Sequence, residues 1–407
     1  MFSQGWLVVG IVLIGLGLAV HGGGPFVVGM VLLLGAGTSY LSHTHCLDRV
    51  EFRRIFSPRR VFYGEDVTLT LEVTNRKPLP LAWLELTDEL PEELIPKRGR
   101  VIPSLRQRRQ HLVHLFSLRW YERVRRRVTV TCTARGYFPL GPARVRSGDV
   151  FGITSRGHDV EHVDHLIVYP RVVPLDALGI PPLHPLGDQR APRPLLEDPA
   201  RTAGVREYRT TDPLRRVHWK ASARIGTLQS RQYEPTAVHR VAIFLNMDTL
   251  GQYAKYRGFV RPLLELNIMV AASLAAWAND QGYPIGLIAN GYLPVGLRRV
   301  RLAPAVGETQ LSGILEALAK VFPTPVVPIG DLMYLESGDL PWGTTAVVVT
   351  AVVDSSLRVG INRLREAGHG VILVLIGDRN NDVHLNIPTY RVSQEAGWRA
   401  MDEIHLI

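Results

Sequence analysis

The side chains best suited to chemistry lie together in the middle of the chain, within residues 204–234. Asp212, His218 and Ser222 are the residue types of a hydrolytic triad, in which a histidine takes a proton from a serine hydroxyl and a carboxylate orients the histidine. His218 and Ser222 are four residues apart, so a helix would place both on one face, and Asp212 suits the start of that helix. The sequence therefore favours a buried, hydrogen-bonded histidine and predicts no catalytic residues.

A capped helix followed by a strand is predicted to carry these residues. Asp212 suits a helix N-cap and Pro213 its first position, while Gly226 suits the left-handed position just past the end. A short strand is predicted over residues 228–233. An apolar face is expected from residues at helical spacing: Leu214, Val217, His218, Ala221 and Ile225.

A cationic ridge and one tryptophan remain on the predicted helix. Arg216, Lys220 and Arg224 are each four residues apart. The ridge either grips an acidic partner or lipid phosphates, or pairs internally with acidic neighbours, and the sequence leaves both open. Trp219 is predicted to be a packing anchor between the preceding linker and the domain that follows.

Length and composition bound the possibilities. The 407 residues suffice for two or three domains, and the net charge of +10 suggests an acidic surface as partner, unless it reflects only an arginine-rich composition. The two cysteines, Cys46 and Cys132, are too few for a disulfide framework.

The amino-terminal region, residues 1–47, is predicted to be a transmembrane hairpin. Residues 6–20 and 26–41 are two mostly apolar runs separated by a glycine turn, each short for a ~30 Å hydrocarbon core. Basic residues follow the second run: Arg49, Arg53, Arg54, Arg59 and Arg60. The positive-inside rule therefore predicts a multi-pass protein of the cell membrane with its soluble domains in the cytoplasm.

Two segments of different character come next. Residues 48–170 read as short alternating strands, typical of an immunoglobulin-like β-sandwich. Their basic cluster, residues 123–127, lacks interleaved aromatic residues, which favours a solvated or membrane-facing strand over nucleic-acid binding. Residues 171–203 are proline-rich and are predicted to be an extended linker.

The carboxy-terminal region, residues 237–407, alternates strands with helices. Strands are predicted near 238–245, 285–289, 346–350 and 371–376, and helices near 262–279, 308–321 and 355–367. This order predicts a parallel, doubly wound sheet within a multi-domain α+β protein. Neither a phosphate-binding loop nor a dinucleotide fingerprint is present, which disfavours nucleotide chemistry.

Read together, the central segment and its surroundings resemble the bacterial and archaeal family called domain of unknown function 58. Residues 135–142 (RGYFPLGP) and 148–154 (GDVFGIT) match turns typical of that family, with residues 204–236 as its signature motif. Thr211 stands where the family usually has glycine. The motif residues singled out here are Arg206, Tyr208, Asp212, Arg216, His218, Trp219, Ser222, Arg224, Arg231 and Glu234.

The resemblance implies a von Willebrand factor A-like carboxy-terminal domain. Many such domains bind Mg²⁺ through carboxylates and hydroxyls after the first strand and on two later loops. Here Asn246 replaces the first carboxylate and Leu250 the last hydroxyl, which leaves Asp248, Thr309 and Asp354 as candidate ligands. A metal-free interaction surface is favoured and no cofactor is expected, with Mg²⁺ as the alternative.

Gene neighbourhoods in the family also imply protein partners, a MoxR-type AAA ATPase and a transglutaminase-like membrane protein. The favoured hypothesis is therefore a membrane-anchored, non-enzymatic interaction protein that serves assembly of the cell envelope or of complexes. Two alternatives stay open: an envelope enzyme that uses residues 212–219, and a protein that binds anionic lipid or nucleic acid through its arginines.

Overall fold

The chain folds into two units, Met1–Arg171 and Val172–Ile407. A computed structural model describes residues 2–19, 23–150, 152, 154–181, 197–209, 212, 214–235, 239–250, 259–294, 298–325, 327–377 and 385–393. Each unit has its own hydrophobic core and is described separately below.

The amino-terminal unit begins with two helices, α1 (Phe2–Ala19) and α2 (Gly23–His45). Among the described residues, only α2 is long and apolar enough to cross a membrane, by length and composition. The apolar part of α1 is the shorter Val8–Ala19, which at about 1.5 Å per residue spans ~18 Å of a ~30 Å hydrocarbon core. The expected pair of spans, and with it a multi-pass arrangement, is therefore corrected to one candidate span.

Twelve strands in the described part of the first unit follow the helices. They are β1 (Val50–Ser57), β2 (Arg60–Phe62), β3 (Asp66–Asn75), β4 (Leu81–Pro91), β5 (Leu94–Pro96), β6 (Arg100–Pro103), β7 (Arg109–Leu118), β8 (Arg123–Cys132), β9 (Gly136–Leu140), β10 (Ala143–Gly148), β11 (Ser155–Val160) and β12 (Asp164–Tyr169). They form sheets in the orders β1-β3-β8-β5, β11-β10-β4-β7-β6 and β2-β12-β9. Alternating apolar residues of all three sheets meet in one core, as the period-2 pattern of β3 and β8 predicts.

A buried ion pair joins the three sheets. The guanidinium of Arg54 on β1 donates from Nε to Oδ2 of Asp88 on β4 at 2.9 Å and from a terminal nitrogen to Oδ2 of Asp164 on β12 at 3.1 Å. It also donates to the carbonyl of Leu140 at the end of β9. The side chains of Arg54 and Asp88 are almost completely buried, at 1% and 0% exposure. Arg54 is therefore a core residue, although the sequence places it among the basic residues that follow the second apolar run.

A second buried cation links α2 to the β-rich part of the unit. Lys77, in the β3–β4 connection, donates from Nζ to the carbonyl of Cys46 at 2.7 Å and to that of Asp48 at 3.0 Å. Carbonyls at a helix end lack intrahelical partners, so a lysine there satisfies them and suits the helix dipole. Burial lowers the pKa of Lys77 to about 8.

That pKa gives a pH dependence whose sign can be tested. An unfolded lysine titrates near ~10.4, so between about pH 8 and 10.4 the unfolded chain binds more protons than the folded one. We expect Lys77 to make the free energy of unfolding of the first unit rise with pH across this window. Hydrogen exchange of β3 and β4 amides, in the full chain in detergent, measures this.

The variants Lys77→Met and Lys97→Met separate this effect from other titrations. Burial raises the pKa of Cys132 to about 12, which gives the opposite slope in every variant, so only differences between proteins are compared. The rise should be absent in Lys77→Met and retained in Lys97→Met, because Lys97 is exposed and pairs with Asp66 at the surface. Equal slopes in wild type and Lys77→Met would contradict the prediction.

The carboxy-terminal unit contains two further sheets. In the described residues its strands are β13 (Glu197–Glu207), β14 (Gln229–Pro235), β15 (Arg240–Leu245), β16 (Ile285–Leu293), β17 (Arg298–Ala305), β18 (Thr344–Thr350), β19 (Gly370–Ile376) and β20 (Thr389–Val392). Its helices are α3 (Trp219–Ile225), α4 (Arg261–Asp280), α5 (Glu308–Lys320), α6 (Ile329–Glu336) and α7 (Ser355–Glu366), with single 3-10 turns at Asp176–Leu178 and Leu214–Arg216. Strands β13 and β14 form an antiparallel pair, and the other six form a sheet ordered β17-β16-β15-β18-β19-β20.

The six-stranded sheet is mostly parallel, as the alternation of strands and helices predicts. Strands β15, β16, β18, β19 and β20 are parallel neighbours, and only β17 runs antiparallel, at one edge. Residues of one face, including Phe244 and Val348, pack against α6 and α7. The alternate residues, including Ile243 and Val347, are also buried, and α4 contacts β15, β16, β18 and β19. Helices therefore cover both faces.

The predicted linker, residues 171–203, differs from the observed chain at both ends. Leu175, Leu178 and Ile180 are buried, and the amide of Val173 donates to Oγ of Ser273 on α4 at 3.0 Å. Strand β13 begins at Glu197. Apolar residues among the prolines thus tie the start of the segment to the second unit, while residues 182–196 lie outside the described part.

Candidate functional site

An antiparallel hairpin frames the candidate site. We call residues 197–235 the signature module: β13, β14 and the excursion 208–228 between them. Gly204–Glu207 lie opposite Gln232–Gln229 in register. Two backbone hydrogen bonds hold the excursion against the hairpin. The N–H of Tyr208 donates to the carbonyl of Leu228 at 2.9 Å, and the N–H of His218 donates to the carbonyl of Gln229 at 2.8 Å. The motif residue Glu234 lies on β14, opposite Asp198.

Asp212 holds the first half of the excursion in place through hydrogen bonds. Its carboxylate accepts from the guanidinium of Arg206 at 2.6 Å and from the backbone N–H of Arg209 at 3.1 Å. Its own carbonyl accepts from the hydroxyl of Tyr208 at 3.0 Å. The N–H of Arg209, followed by the positive charge of Arg206, holds the pKa of Asp212 below its usual range. The side chain is thus an ionised structural ligand with its partners in place.

His218 and Ser222 bond to the backbone and not to each other's side chains. Nδ1 of His218 accepts from the N–H of Ala221 at 3.1 Å, so this imidazole caps α3. The hydroxyl of Ser222 donates to the carbonyl of His218 and accepts from the N–H of Gln229 at 2.8 Å. His218 and Ser222 thus use their side chains to bond backbone groups. A catalytic triad would need a hydrogen bond from the serine hydroxyl to the imidazole.

The expected single helix starting at Asp212 is wrong. The carboxylate of Asp212 is occupied by Arg206 and Arg209, so it cannot cap a helix, and Val217 pairs with Ser230 as a strand residue. A 3-10 turn over Leu214–Arg216 is followed only later by α3, with His218 as the N-cap. Gly226 does end the helix in the left-handed conformation, with φ of 77°.

Trp219 lies on the outside of the module, so its expected role as a packing anchor is wrong. Its side chain is 68% exposed, whereas the hydroxyl of Ser222 accepts from the N–H of Gln229 at the start of β14. At 100° per residue, Trp219, Lys220, Ala223 and Arg224 share the opposite face of α3. Further apolar side chains of the signature module are also exposed: Val205, Leu214, Ile225 and Leu228.

The three residues of the predicted cationic ridge lie on two separate elements, because the predicted single helix is a 3-10 turn followed by α3. Lys220 and Arg224 are exposed on α3, whereas Arg216 belongs to the 3-10 turn, is half-buried and has an interaction partner. Arg209 and Arg231 are also exposed on the module. We use the name signature face for the exposed side chains Trp219, Lys220 and Arg224 of α3 together with Leu214, Ile225 and Leu228 of the same module. It combines an indole, aliphatic side chains and positive charge.

The carboxyl edge of the six-stranded sheet holds a buried network of neutral amides. Oδ1 of Asn246, after β15, accepts from the N–H of Asp248 (3.0 Å) and from Nδ2 of Asn290 (2.9 Å). Nδ2 of Asn246 donates to Oγ1 of Thr350 at 3.0 Å, and that hydroxyl donates to the carbonyl of Val352. Nδ2 of Asn267 on α4 donates to the carbonyl of Asn246. Amide and hydroxyl groups thus supply one another's hydrogen bonds, except that Oδ1 of Asn267 is buried without a partner among the described residues.

Thr309 does not lie with the other two candidate metal ligands. Asp248 accepts from the N–H of Leu250, and Asp354 caps α7 by accepting from the N–H of Leu357. Thr309 lies at the opposite edge, because β17 runs antiparallel and α5 therefore begins beside the start of β16, where Gln310 donates to the carbonyl of Ile285. Within the described ranges, no three His, Cys, Asp or Glu side chains are grouped as a metal site.

Asn267, Asn290 and Thr350 were not singled out from the sequence. Each is a polar residue in or beside an otherwise apolar stretch of α4, β16 or β18, which is the signal that would have identified them. Buried polar groups are almost always paired, so three such residues in adjoining elements indicate a shared network.

Comparison with known proteins finds a family and a relative whose functions are also unknown. Residues 204–382 match the family described as "Protein of unknown function DUF58". The chain is 26% identical over 195 residues to the "Uncharacterized protein YeaD" of Bacillus subtilis (strain 168), which covers 47% of this chain and 46% of the relative. The match therefore spans about half of each protein.

Solved structures give only weak similarity. A cohesin module from a family 33 glycoside hydrolase of Clostridium perfringens has a TM-score of 0.20 and 13% identity, covering 30% of this chain and 95% of the module. The sporulation control protein Spo0M of Bacillus subtilis has a TM-score of 0.18 and 16% identity, covering 32% and 55%. Scores this low support no conclusion about fold or function.

Proposed function

We propose, from the match of residues 204–382 to a family of unknown function and from the geometry of the signature module, that this chain is a membrane-anchored docking protein. Its anchor is α2, and its docking surface is the signature face. One observation carries the proposal. The side chains of Asp212, His218 and Ser222 hold the hairpin in shape, while Trp219 and other apolar side chains of the module are exposed to solvent.

The chemistry of the signature face suits a protein partner. Aromatic and arginine side chains dominate the binding energy of interfaces, and a rigidly held tryptophan loses little conformational freedom on binding. The described side chains of α3 include two cations and no acid, so the complementary surface is an apolar pocket with an acidic rim. The bonds of Asp212, His218 and Ser222 to the backbone support docking over hydrolysis as the use of this region.

The finer assignment concerns the partner and the sheet domain. We propose that the six-stranded sheet is an A-type domain that works without a metal ion, and that the partner is a MoxR-type AAA ATPase. A mostly parallel sheet covered by helices on both faces supports the first proposal. The second rests on the family resemblance, with soluble units on the cytoplasmic side where ATP is available.

Photo-crosslinking tests the docking proposal. We expect the full chain in native membranes, with benzoylphenylalanine in place of Trp219, to crosslink to the purified MoxR-type ATPase of the same organism. The same substitution at Trp342, a half-exposed tryptophan of the same unit, is the matched control and should not crosslink. Trp219→Ala should weaken ATPase binding by at least about 30-fold, the loss of a typical hot spot of about 2 kcal/mol.

Two outcomes would count against the proposal. Equal affinity of wild type and Trp219→Ala would remove the signature face from the interface. Absence of binding to the ATPase, with and without ATP, would reject this partner. Trp219→Ala should leave hydrogen exchange of β13 and β14 unchanged, because the side chain is exposed, and this separates lost contact from lost fold.

A further inference from the structure

Several connections of the β-rich part lie at one end, the end where α2 joins it. Strand β1 starts there, directly after α2. Its first residue, Val50, pairs with Asn75 at the end of β3. Thr74 of β3 pairs with Arg123 at the start of β8, and Leu81 at the start of β4 pairs with Leu118 at the end of β7. The β3–β4 and β7–β8 connections therefore share the end next to α2.

The β10–β11 turn reaches the same place. Ser147, near the end of β10, pairs with Leu84 near the start of β4. Asp149 in the turn accepts from the hydroxyl of Ser39 on α2 at 3.1 Å, and its carbonyl accepts from Nε1 of Trp83 at 2.9 Å. This turn thus lies beside the last two helical turns of α2, and it presents Val150, which is 54% exposed.

The β7–β8 turn is bonded to the loop that holds the helix end. The N–H of Tyr121 donates to the carbonyl of Lys77 at 3.2 Å, and the ammonium of the same lysine donates to Cys46 and Asp48. Asn75 adds a backbone bond to Glu122 and a side-chain bond to the carbonyl of Arg119. These hydrogen bonds hold the β7–β8 turn close to the last residues of α2.

This fixed turn exposes two aromatic rings. Trp120 is 65% and Tyr121 is 67% exposed. Tyr121 has φ of 53°, a left-handed conformation that a bulky residue rarely adopts. Large apolar surface held outward on a constrained backbone points to a ligand that covers it, because such surface is costly in water.

Exposed arginines lie near the rings. Arg49 and Arg119 are exposed at this end, and Arg76 is half-exposed beside Glu51, with which it pairs at 3.0 Å. The facing acids are engaged: Asp48 pairs with His45, and Glu122 accepts from the N–H of Arg119. Tryptophan and tyrosine concentrate at membrane–water interfaces, and arginine near them attracts anionic headgroups.

We infer that the helix-proximal end of the β-rich part, led by Trp120 and Tyr121 with Val150 beside them, is a seat in the interface of an anionic phospholipid bilayer. The inference rests on α2 as the anchor of the proposed function. Because α2 ends beside these turns, its insertion places them at headgroup level without further binding. The aromatic rings enter the interface and the arginines meet the phosphates.

Depth-dependent quenching tests the seat. The full chain is reconstituted in phosphatidylglycerol–phosphatidylcholine vesicles with bromine on acyl carbons near the headgroup, and the fluorescence of Trp120→Phe is subtracted from that of wild type. The difference isolates Trp120 from the other six tryptophans of the chain. We expect at least a twofold loss of the difference signal in brominated vesicles. The corresponding difference for Trp342→Phe, from the other unit, should be unchanged.

The possible outcomes distinguish failure of the interfacial seat at Trp120 and Tyr121 from failure of α2 as the membrane anchor. Alkaline extraction that releases the chain from vesicles would overturn the anchor and the seat together. Retention of the chain with no quenching of Trp120, or with equal quenching of Trp120 and Trp342, would overturn the seat alone. Protection of Trp120 from aqueous acrylamide without quenching by bromine would assign the turn to a protein contact and overturn the lipid assignment.

Discussion

Replacing Arg54 by methionine should lower the free energy of unfolding of the β-rich part by about 3–5 kcal/mol. The change leaves the carboxylate of Asp88 with 0% exposure and without its cation, and it removes the donor to Asp164 and Leu140. An uncompensated buried charge is among the costliest defects of a core. Hydrogen exchange of β1 and β4 amides in the full chain, in detergent, measures the loss.

Two further variants make this result specific. Arg144→Met removes a surface pair with Asp159, whose side chains are both more than half exposed, and should cost less than about 1 kcal/mol. Arg54→Met combined with Asp88→Leu removes both buried charges and should recover most of the loss. Similar costs for Arg54→Met and Arg144→Met would contradict the assignment of Arg54 as the hub of three sheets.

The substitution Asn246→Asp should destabilise the carboxy-terminal unit by a comparable amount, about 3–5 kcal/mol at neutral pH. Asn246 is 4% exposed, and its Nδ2 donates to a threonine hydroxyl that already donates elsewhere. A carboxylate there would place two acceptors against each other and bury a charge without a cation. Hydrogen exchange of β15 and β18 amides reports the change.

The pH dependence of this loss has a definite sign. Burial raises the pKa of a carboxyl group, so the folded variant would bind more protons than the unfolded chain above about pH 3.9. The deficit relative to wild type should therefore be full at neutral pH and shrink as the pH falls. Asn386→Asp, at an exposed position, is the matched control and should change stability by less than about 0.5 kcal/mol.

Mg²⁺ makes the same variant a test of the metal hypothesis. With Thr309 at the opposite edge of the sheet and Asp354 occupied as a helix cap, added Mg²⁺ should leave the deficit of Asn246→Asp unchanged. Recovery of stability by Mg²⁺, and not by a monovalent salt at equal ionic strength, would show that these loops still gather a cation site once the first carboxylate is supplied.

Elements with strong local patterns were predictable from the sequence. Alternation predicted β3 and β8, and helical patterns predicted α4 and α7 near their observed bounds. Strand β17 was missed because its apolar run is short and contains Pro304, and its antiparallel direction depends on pairing with β16. That direction is what moves Thr309 away from Asp248.

The roles of individual polar residues were predictable only in part. Arg54 lies in a basic run and looks locally like its neighbour Arg53, yet its partner Asp88 lies on another strand far along the chain. Asp212 has the residue type and position of a helix cap, but Arg206 on the preceding strand occupies it first. In both cases a long-range partner overrides a local preference, and residue spacing alone does not identify that partner.

The bond between Lys77 and the end of α2 has a mechanical consequence. A helix longer than the local hydrocarbon layer accommodates the mismatch by tilting. Because Lys77 and Ser39 bind the last turns of α2 to the β-rich part at separate points, a tilt of the helix cannot be absorbed by a free joint. In the membrane-anchored arrangement that we propose, a change in bilayer thickness would therefore change the orientation of the β-rich part relative to the membrane.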